Sequence, residues 1–260
     1  MRNGTVAKVS ICIEMLLTEH DFYQRPARAA ALGFKAIEFW GTSGKDIPRL
    51  KAACEEAGVA VAGFVGPCAF AMVNEHTEAE LAAAMKESAG VAHQLGAQTL
   101  IITTGNAKAG VAREEQTDAI VGNLKVLAPL AEAARVKLAV EMLNTLVDHK
   151  GYFLDHTADG RRIVDRVGSP AVGLLYDVYH MQVMEGNLIQ TIRDNAAVIH
   201  HVHAADVPGR REPGSGEINY ANVFKALDEA GYKGYCGFEF RPSDNSESAL
   251  KRAKAACGLR

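Results

Sequence analysis

Four residues of the chain could meet around one divalent cation: Glu141, Asp177, His203 and Glu239. Each stands at or near the end of a short apolar run, in "KLAVEML" (137–143), "VGLLYD" (172–177), "IHHVHAAD" (199–206) and "GYCGFEF" (234–240). Three carboxylates and one imidazole, without a thiolate, make a hard, oxygen-rich donor set. Such a set suits Mn²⁺, Mg²⁺ or Co²⁺, with Zn²⁺ also compatible. Without a cation, three neighbouring carboxylates would repel and at least one would be driven to hold a proton. A lone carboxylate at a strand end is more often a cap or a loop partner. Four such residues on four successive runs argue jointly what none argues alone.

Such residues converge only if the runs are neighbouring strands. Four more runs precede them: "VSICIEM" (9–15), "AIEFW" (36–40), "VAVAGFVG" (59–66) and "TLIITTG" (99–105). Stretches with helical patterning lie between the runs, at 21–33, 78–96, 113–134, 160–168 and 220–231, and a last one at 247–258. Gly33, Gly58, Gly96, Gly168 and Gly231 punctuate the approach to the next strand, as glycines that end helices do. The runs are continuously apolar rather than alternating, which fits strands buried on both faces. Eight strand–helix units predict an α/β fold, a (β/α)8 TIM barrel in a single domain over 1–260. An open doubly wound sheet is the alternative, but no GxGxxG follows the first run.

In a barrel the strand C-termini surround one site. The other polar residues delivered there are Glu38, Thr103, Thr104, Asn106, Asn144, His180, Asp206 and Arg241. Alternation puts His201 on the same face as His203 but one layer lower, as a core residue. Glu38, Asn144 and Asp148 read as helix or loop caps. Trp40 and Phe70 read as apolar walls of a pocket. The loop "PGRREPGSGEI" (208–218) would lie on the catalytic face.

Composition narrows the function classes. The chain has 260 residues, 48% of them apolar and 23% charged, with a formal charge of −3. That balance supplies no basic stripe for nucleic acid. No apolar run reaches the roughly 18 residues of a membrane span, so no membrane partner is expected. The start, "MRNGTVAKVS", does not read as a secretory leader. Five cysteines, an odd count without CxxC, imply neither a disulfide framework nor a thiolate zinc site, and free thiols fit a cytoplasmic location.

The stretches "YDVYHMQVMEGNL", "PGRREPGSGEINYANVFKALDEAGYKGYCGFEFRPS" and "HDFYQRPARAAALGFKAIEFW" closely resemble the hydroxypyruvate isomerase family, within the xylose-isomerase-like TIM barrels. The match is strongest over 137–243. The resemblance implies a divalent metal, Mn²⁺ or Mg²⁺ first, held by Glu141, Asp177, His203 and Glu239. It implies that Glu141 and Glu239 are also the catalytic acid/base pair, and that His180 and Arg210 bind substrate. Arg211, the neighbour of Arg210, is the competing clamp, and Asp206 is expected to orient a histidine behind the site. The implied reaction is the interconversion of hydroxypyruvate and tartronate semialdehyde through an enediolate. Isomerisation of a 2-oxo-tetronate, or 3-epimerisation of a ketose, would use the same metal and glutamates. The expected partner is therefore a small hydroxy-keto acid or ketose, and a homo-oligomer is compatible with all of this. Glu14 departs from the family pattern, which has a small polar residue there.

Overall fold

The computed structural model describes residues 7–67 and 71–259. Phe70, singled out above, and Cys68, one of the five cysteines, lie outside the described residues. Eight parallel strands close into a barrel in chain order. They are β1 (Lys8–Cys12), β2 (Ala36–Phe39), β3 (Ala60–Val65), β4 (Thr99–Ile102), β5 (Lys137–Glu141), β6 (Val172–Asp177), β7 (Ile199–Ala204) and β8 (Tyr235–Phe238). Helices α1 (Arg25–Ala31), α2 (Ile47–Ala57), α3 (Glu78–Leu95), α4 (Arg113–Ala134) and α5 (Thr157–Val167) follow the first five strands. Two helices, α6 (Val178–Met184) and α7 (Leu188–Asn195), fill the connection from β6 to β7. The barrel ends with α8 (Tyr220–Glu229) before β8 and α9 (Ser246–Ala256) after it.

The (β/α)8 architecture is the one the alternation of runs predicts. Most strands are shorter than the apolar runs that announced them. β1 stops at Cys12, where Leu16 N–H turns back to the Cys12 carbonyl at 3.0 Å. The rest of that run leaves the ladder and enters the loop over the barrel mouth. Helix boundaries follow local chemistry. α3 opens with a reciprocal Thr77–Glu80 capping box. Gly58, Gly96 and Gly168 take the left-handed conformation directly after α2, α3 and α5. Gly33 and Gly231 do so one residue further on, after Leu32 and Ala230.

The barrel interior is divided by chemistry. On the β4–β6 side it is apolar, with Ile101, Ala139 and Leu175 packed together and Val65 against them. On the β1, β2 and β7 side it is polar, with Ser10, Glu38, His201 and His203 all buried. Register shifts occur at Ile37/Glu38 on β2 and at Leu174/Leu175 on β6. Such irregularities re-aim side chains near sites, and here they lie at and just before Glu38 and Asp177. Outside the strands the larger core fills the space between barrel and helices, where Phe39 and Phe64 stack at 5.2 Å.

Candidate metal centre and active site

Strand ends β5, β6 and β7, and the residue after β8, carry Glu141, Asp177, His203 and Glu239 to one point. Their donor atoms all lie within 4.8 Å of one another and all four residues are buried. Two residues lower on each chain segment stand Ala139, Leu175, His201 and Gly237, so alternation alone sets the four above a common floor. His203 Nδ1 is the centre of the group. It lies 3.3 Å from Glu239, 3.4 Å from Glu141 and 3.9 Å from Asp177, yet has hydrogen-bond geometry to no described residue. A buried imidazole nitrogen facing three carboxylates without such a bond is what a cation's ligand sphere requires. The donor chemistry, three carboxylates and one imidazole, fits a divalent ion of the Mn²⁺ or Mg²⁺ kind.

His203 is braced from behind. Its Nε2 lies 2.9 Å from Glu38, whose other oxygen meets His201 Nε2 at 2.9 Å and accepts from Ser10 Oγ at 2.9 Å. Burial alone would push the Glu38 carboxyl up, but His203 and His201 outweigh it and hold the group at about 2. Burial likewise opposes charge on His203, but Glu38 and Glu239 overcome it and raise that imidazole well above its ordinary range. Glu38 is therefore not a cap, as its place at a strand end suggested. It is a buried carboxylate behind a candidate metal ligand, the arrangement that fixes ring orientation in metal sites. Gly237 makes room for it, since a Cβ there would come within 2.5 Å of Glu38 Cδ.

Glu239 is held at both oxygens. Oε1 accepts from Trp40 Nε1 at 2.8 Å, with Cys12 Sγ at 3.7 Å, and Oε2 accepts from Arg210 Nη2 at 2.6 Å. Burial would raise this carboxyl, but His203 and then Arg210 hold it well below the usual carboxylate range. Burial, followed by the charge of Glu239, pushes the Cys12 thiol up, so a neutral thiol borders the site. Trp40 was expected only as a wall. The residue is 47% exposed while its ring N–H reaches the buried glutamate.

Arg210 belongs to the loop after β7, and Asp206 builds that loop. The Asp206 carboxylate accepts from the backbone N–H groups of Val207, Gly214, Gly216 and Ile218 at 2.8–3.1 Å. This corrects the expectation that Asp206 orients a histidine, because both its oxygens are spent on the loop. Arg210 lies 9% exposed, with Nη2 also 3.8 Å from Asp177. Arg211 turns away and donates to the Pro242 carbonyl at 3.0 Å. Glu14 pairs with Lys45 at 2.8 Å.

His180 opens α6, whose first turn is capped by Asp177, accepting from His180 N–H at 3.0 Å. The ring is fully buried. Its Nδ1 accepts from the Asn144 backbone N–H at 3.2 Å, and its Nε2 lies 3.6 Å from Asp177. His180 thus lies behind Asp177, and the open cavity beside the centre, about 180 Å³, is lined by His149 rather than by His180. Asn144 and Asp148 do act within their loop: Asn144 Oδ1 accepts from the Val147 and Asp148 N–H groups, and Asp148 accepts from Tyr179 at 2.6 Å. Sequence reasoning passed over His149. Its only signal was a polar residue in the loop that follows Glu141.

A closed parallel barrel with a buried carboxylate–histidine cluster at its C-terminal mouth defines an enzyme-like α/β barrel with a candidate metal centre. Comparison with known proteins narrows the class. The family model described as "Xylose isomerase-like TIM barrel" matches residues 26–257. Hydroxypyruvate isomerase of Escherichia coli (strain K12) is 32% identical over 255 residues, covering 94% of this chain and 97% of that protein. A 2-oxo-tetronate isomerase of Cupriavidus necator is 30% identical, covering 95% and 97%. Among solved structures, one described as AP endonuclease, family 2, from Brucella melitensis superposes with a TM-score of 0.87 at 27% identity, covering 95% of this chain and 97% of that one. The chain belongs to the xylose isomerase-like TIM barrel family and, within it, to the hydroxypyruvate isomerase group of isomerases.

Proposed function

We propose that the protein is a metal-dependent isomerase that interconverts hydroxypyruvate and tartronate semialdehyde through a cis-enediolate. The observation that carries this reading is the cluster of Glu141, Asp177, Glu239 and His203 Nδ1 beside the Arg210 guanidinium, in a small cavity. Glu141, Asp177, His203 and Glu239 would hold the cation, which supplies charge stabilisation for the oxygens of the enediolate. Arg210 presents a planar guanidinium to the substrate carboxylate. The reaction moves one proton from C3 to C2 and one from the C3 hydroxyl to the C2 oxygen. Of Glu141 and Glu239, one takes the carbon-bound proton and returns it to the neighbouring carbon, while the other serves the oxygens. The backbone N–H of His180, donating to Asp177 at 3.0 Å, keeps that carboxylate in place.

Isomerisation of a 2-oxo-tetronate uses the same groups on a substrate one carbon longer, and the Cupriavidus relative carries that name. A cavity of about 180 Å³ is below the range typical of drug-sized ligands and suits a small acid. The formal charge of −3 does not provide the phosphate-binding surface that a nucleic-acid substrate needs.

The test is metal analysis together with turnover on hydroxypyruvate, a 2-oxo-tetronate and a panel of ketoses. Hydroxypyruvate should be turned over fastest, with deuterium from C3 appearing at C2 or in solvent. Glu141→Gln and Glu239→Gln should each lose about 10²–10⁴ in kcat. Full activity in either variant, or robust ketose epimerisation without turnover of hydroxypyruvate, overturns the proposal.

A further inference from the structure

The connection from β5 to α5 carries His149 to the cavity and fixes its backbone from both sides. His149 N–H donates to the Asn144 carbonyl at 3.0 Å, and the His149 carbonyl accepts from Tyr152 N–H at 2.9 Å. Asn144 in turn holds the loop between them through the N–H groups of Val147 and Asp148. The imidazole packs edgewise on His180, with ring centres 5.2 Å apart, and its Nε2 is buried without a hydrogen-bond partner among the described residues. Five other buried nitrogens among the described residues share that condition, on His201, His203, His180 and Arg210, and those of the last two are His180 Nε2 and Arg210 Nε. His180 Nε2 and the Arg210 guanidinium both lie within 4 Å of Asp177 Oδ2. Unmet buried donors are rare and costly, so a concentration of them beside a cavity points to an acceptor-rich ligand group.

We propose that His149 is a specificity-determining residue that donates a hydrogen bond from Nε2 to the carboxylate of a short hydroxy-keto acid, beside Arg210. This rests on the isomerase reading for the nature of the substrate, but the contact itself is a statement about this chain's own cavity. The apolar part of the lining supports the choice of a short acid. Val65, Ile101 and Leu143 line the cavity with Thr103, and hydroxyl groups of a longer ketose laid against the three apolar side chains would be left unpaired. The state of the ring agrees. Burial, then the charges of His180 and Arg210, push the His149 pKa down, so the imidazole is neutral with one N–H to give.

The experiment is calorimetric titration of the Mn²⁺-supplemented protein with tartronate, a stable three-carbon dicarboxylate. Wild type, His149→Leu and His149→Gln are compared, with urea midpoints measured for all three. His149→Leu should weaken tartronate binding about tenfold, the scale of one hydrogen bond to a charged group. His149→Gln, which keeps an N–H donor, should stay within about threefold of wild type. Midpoints should be unchanged, which separates a contact from a structural role. Equal tartronate affinity in wild type and His149→Leu overturns the inference, as does a wild type that does not bind tartronate. Failure of the isomerase reading looks different: tartronate binding responds to His149 as stated while wild type leaves hydroxypyruvate unconverted.

Discussion

Gly237→Ala should destabilise the protein by about 3 kcal/mol, and the damage should act through Glu38, two strands away across β1. Gly237 pairs in register with His203 on β7. A methyl carbon at 237 would lie 2.5 Å from Glu38 Cδ, about 1 Å inside ordinary carbon–carbon contact. Neither side has slack. The glycine is in the barrel ladder, and the carboxylate is engaged by Ser10, His201 and His203, each at 2.9 Å. Overpacking of this kind costs about 1–3 kcal/mol, and fully breaking a buried charge pair about 3–5 kcal/mol. A displaced but not expelled carboxylate falls between, near 3 kcal/mol. The assay is urea denaturation of four proteins: wild type, Gly237→Ala, Glu38→Ala and the double variant. Removing the Glu38 side chain removes the obstacle, so Gly237→Ala should cost less than about 1 kcal/mol in that background. The same cost in both backgrounds would refute the clash. Because Glu38 braces His203, Mn²⁺ affinity of Gly237→Ala should also fall by about 10- to 100-fold.

Two further outcomes follow from groups on opposite faces of the barrel. Trp40→Phe keeps a ring at the mouth but removes the N–H that reaches Glu239 Oε1 at 2.8 Å; kcat on the preferred substrate should fall about tenfold, the scale of one hydrogen bond to a charged group, and unchanged kinetics would show that this bond does not matter. At the other end, burial and then Lys137 push His200 down to about 4, while the unfolded chain takes that proton near 6.5. The unfolded state therefore binds more protons between these values, so stability should fall as pH drops from about 6.5 to 4. His200→Gln should flatten this part of the pH profile of urea midpoints, and an unaltered slope would sink the assignment.

The parts of the site that could be read in the sequence are those set by strand periodicity. Glu141, Asp177 and His203 lie at strand ends with Glu239 just beyond one, and alternation gives their common face once eight runs are counted. What could not be read depends on neighbours that only closure of the barrel supplies. Glu38 resembles a cap until β8 is placed on the far side of β1, where a glycine leaves the space its carboxylate fills, while β7 brings His201 and His203 to it. Asp206 looked like a partner for a histidine because its own loop, folding back to offer four N–H groups, has no periodic signal. His149 was hidden for the same reason: its position depends on Asn144 bonding within a turn. The polar side of the barrel interior connects these cases. A buried Glu38 carboxylate is tolerated because two histidines face it, and the upper of these turns its other nitrogen to the carboxylates of the candidate metal centre. The brace therefore belongs to the centre it supports, and a change at Gly237 that touches no candidate ligand should still be felt there.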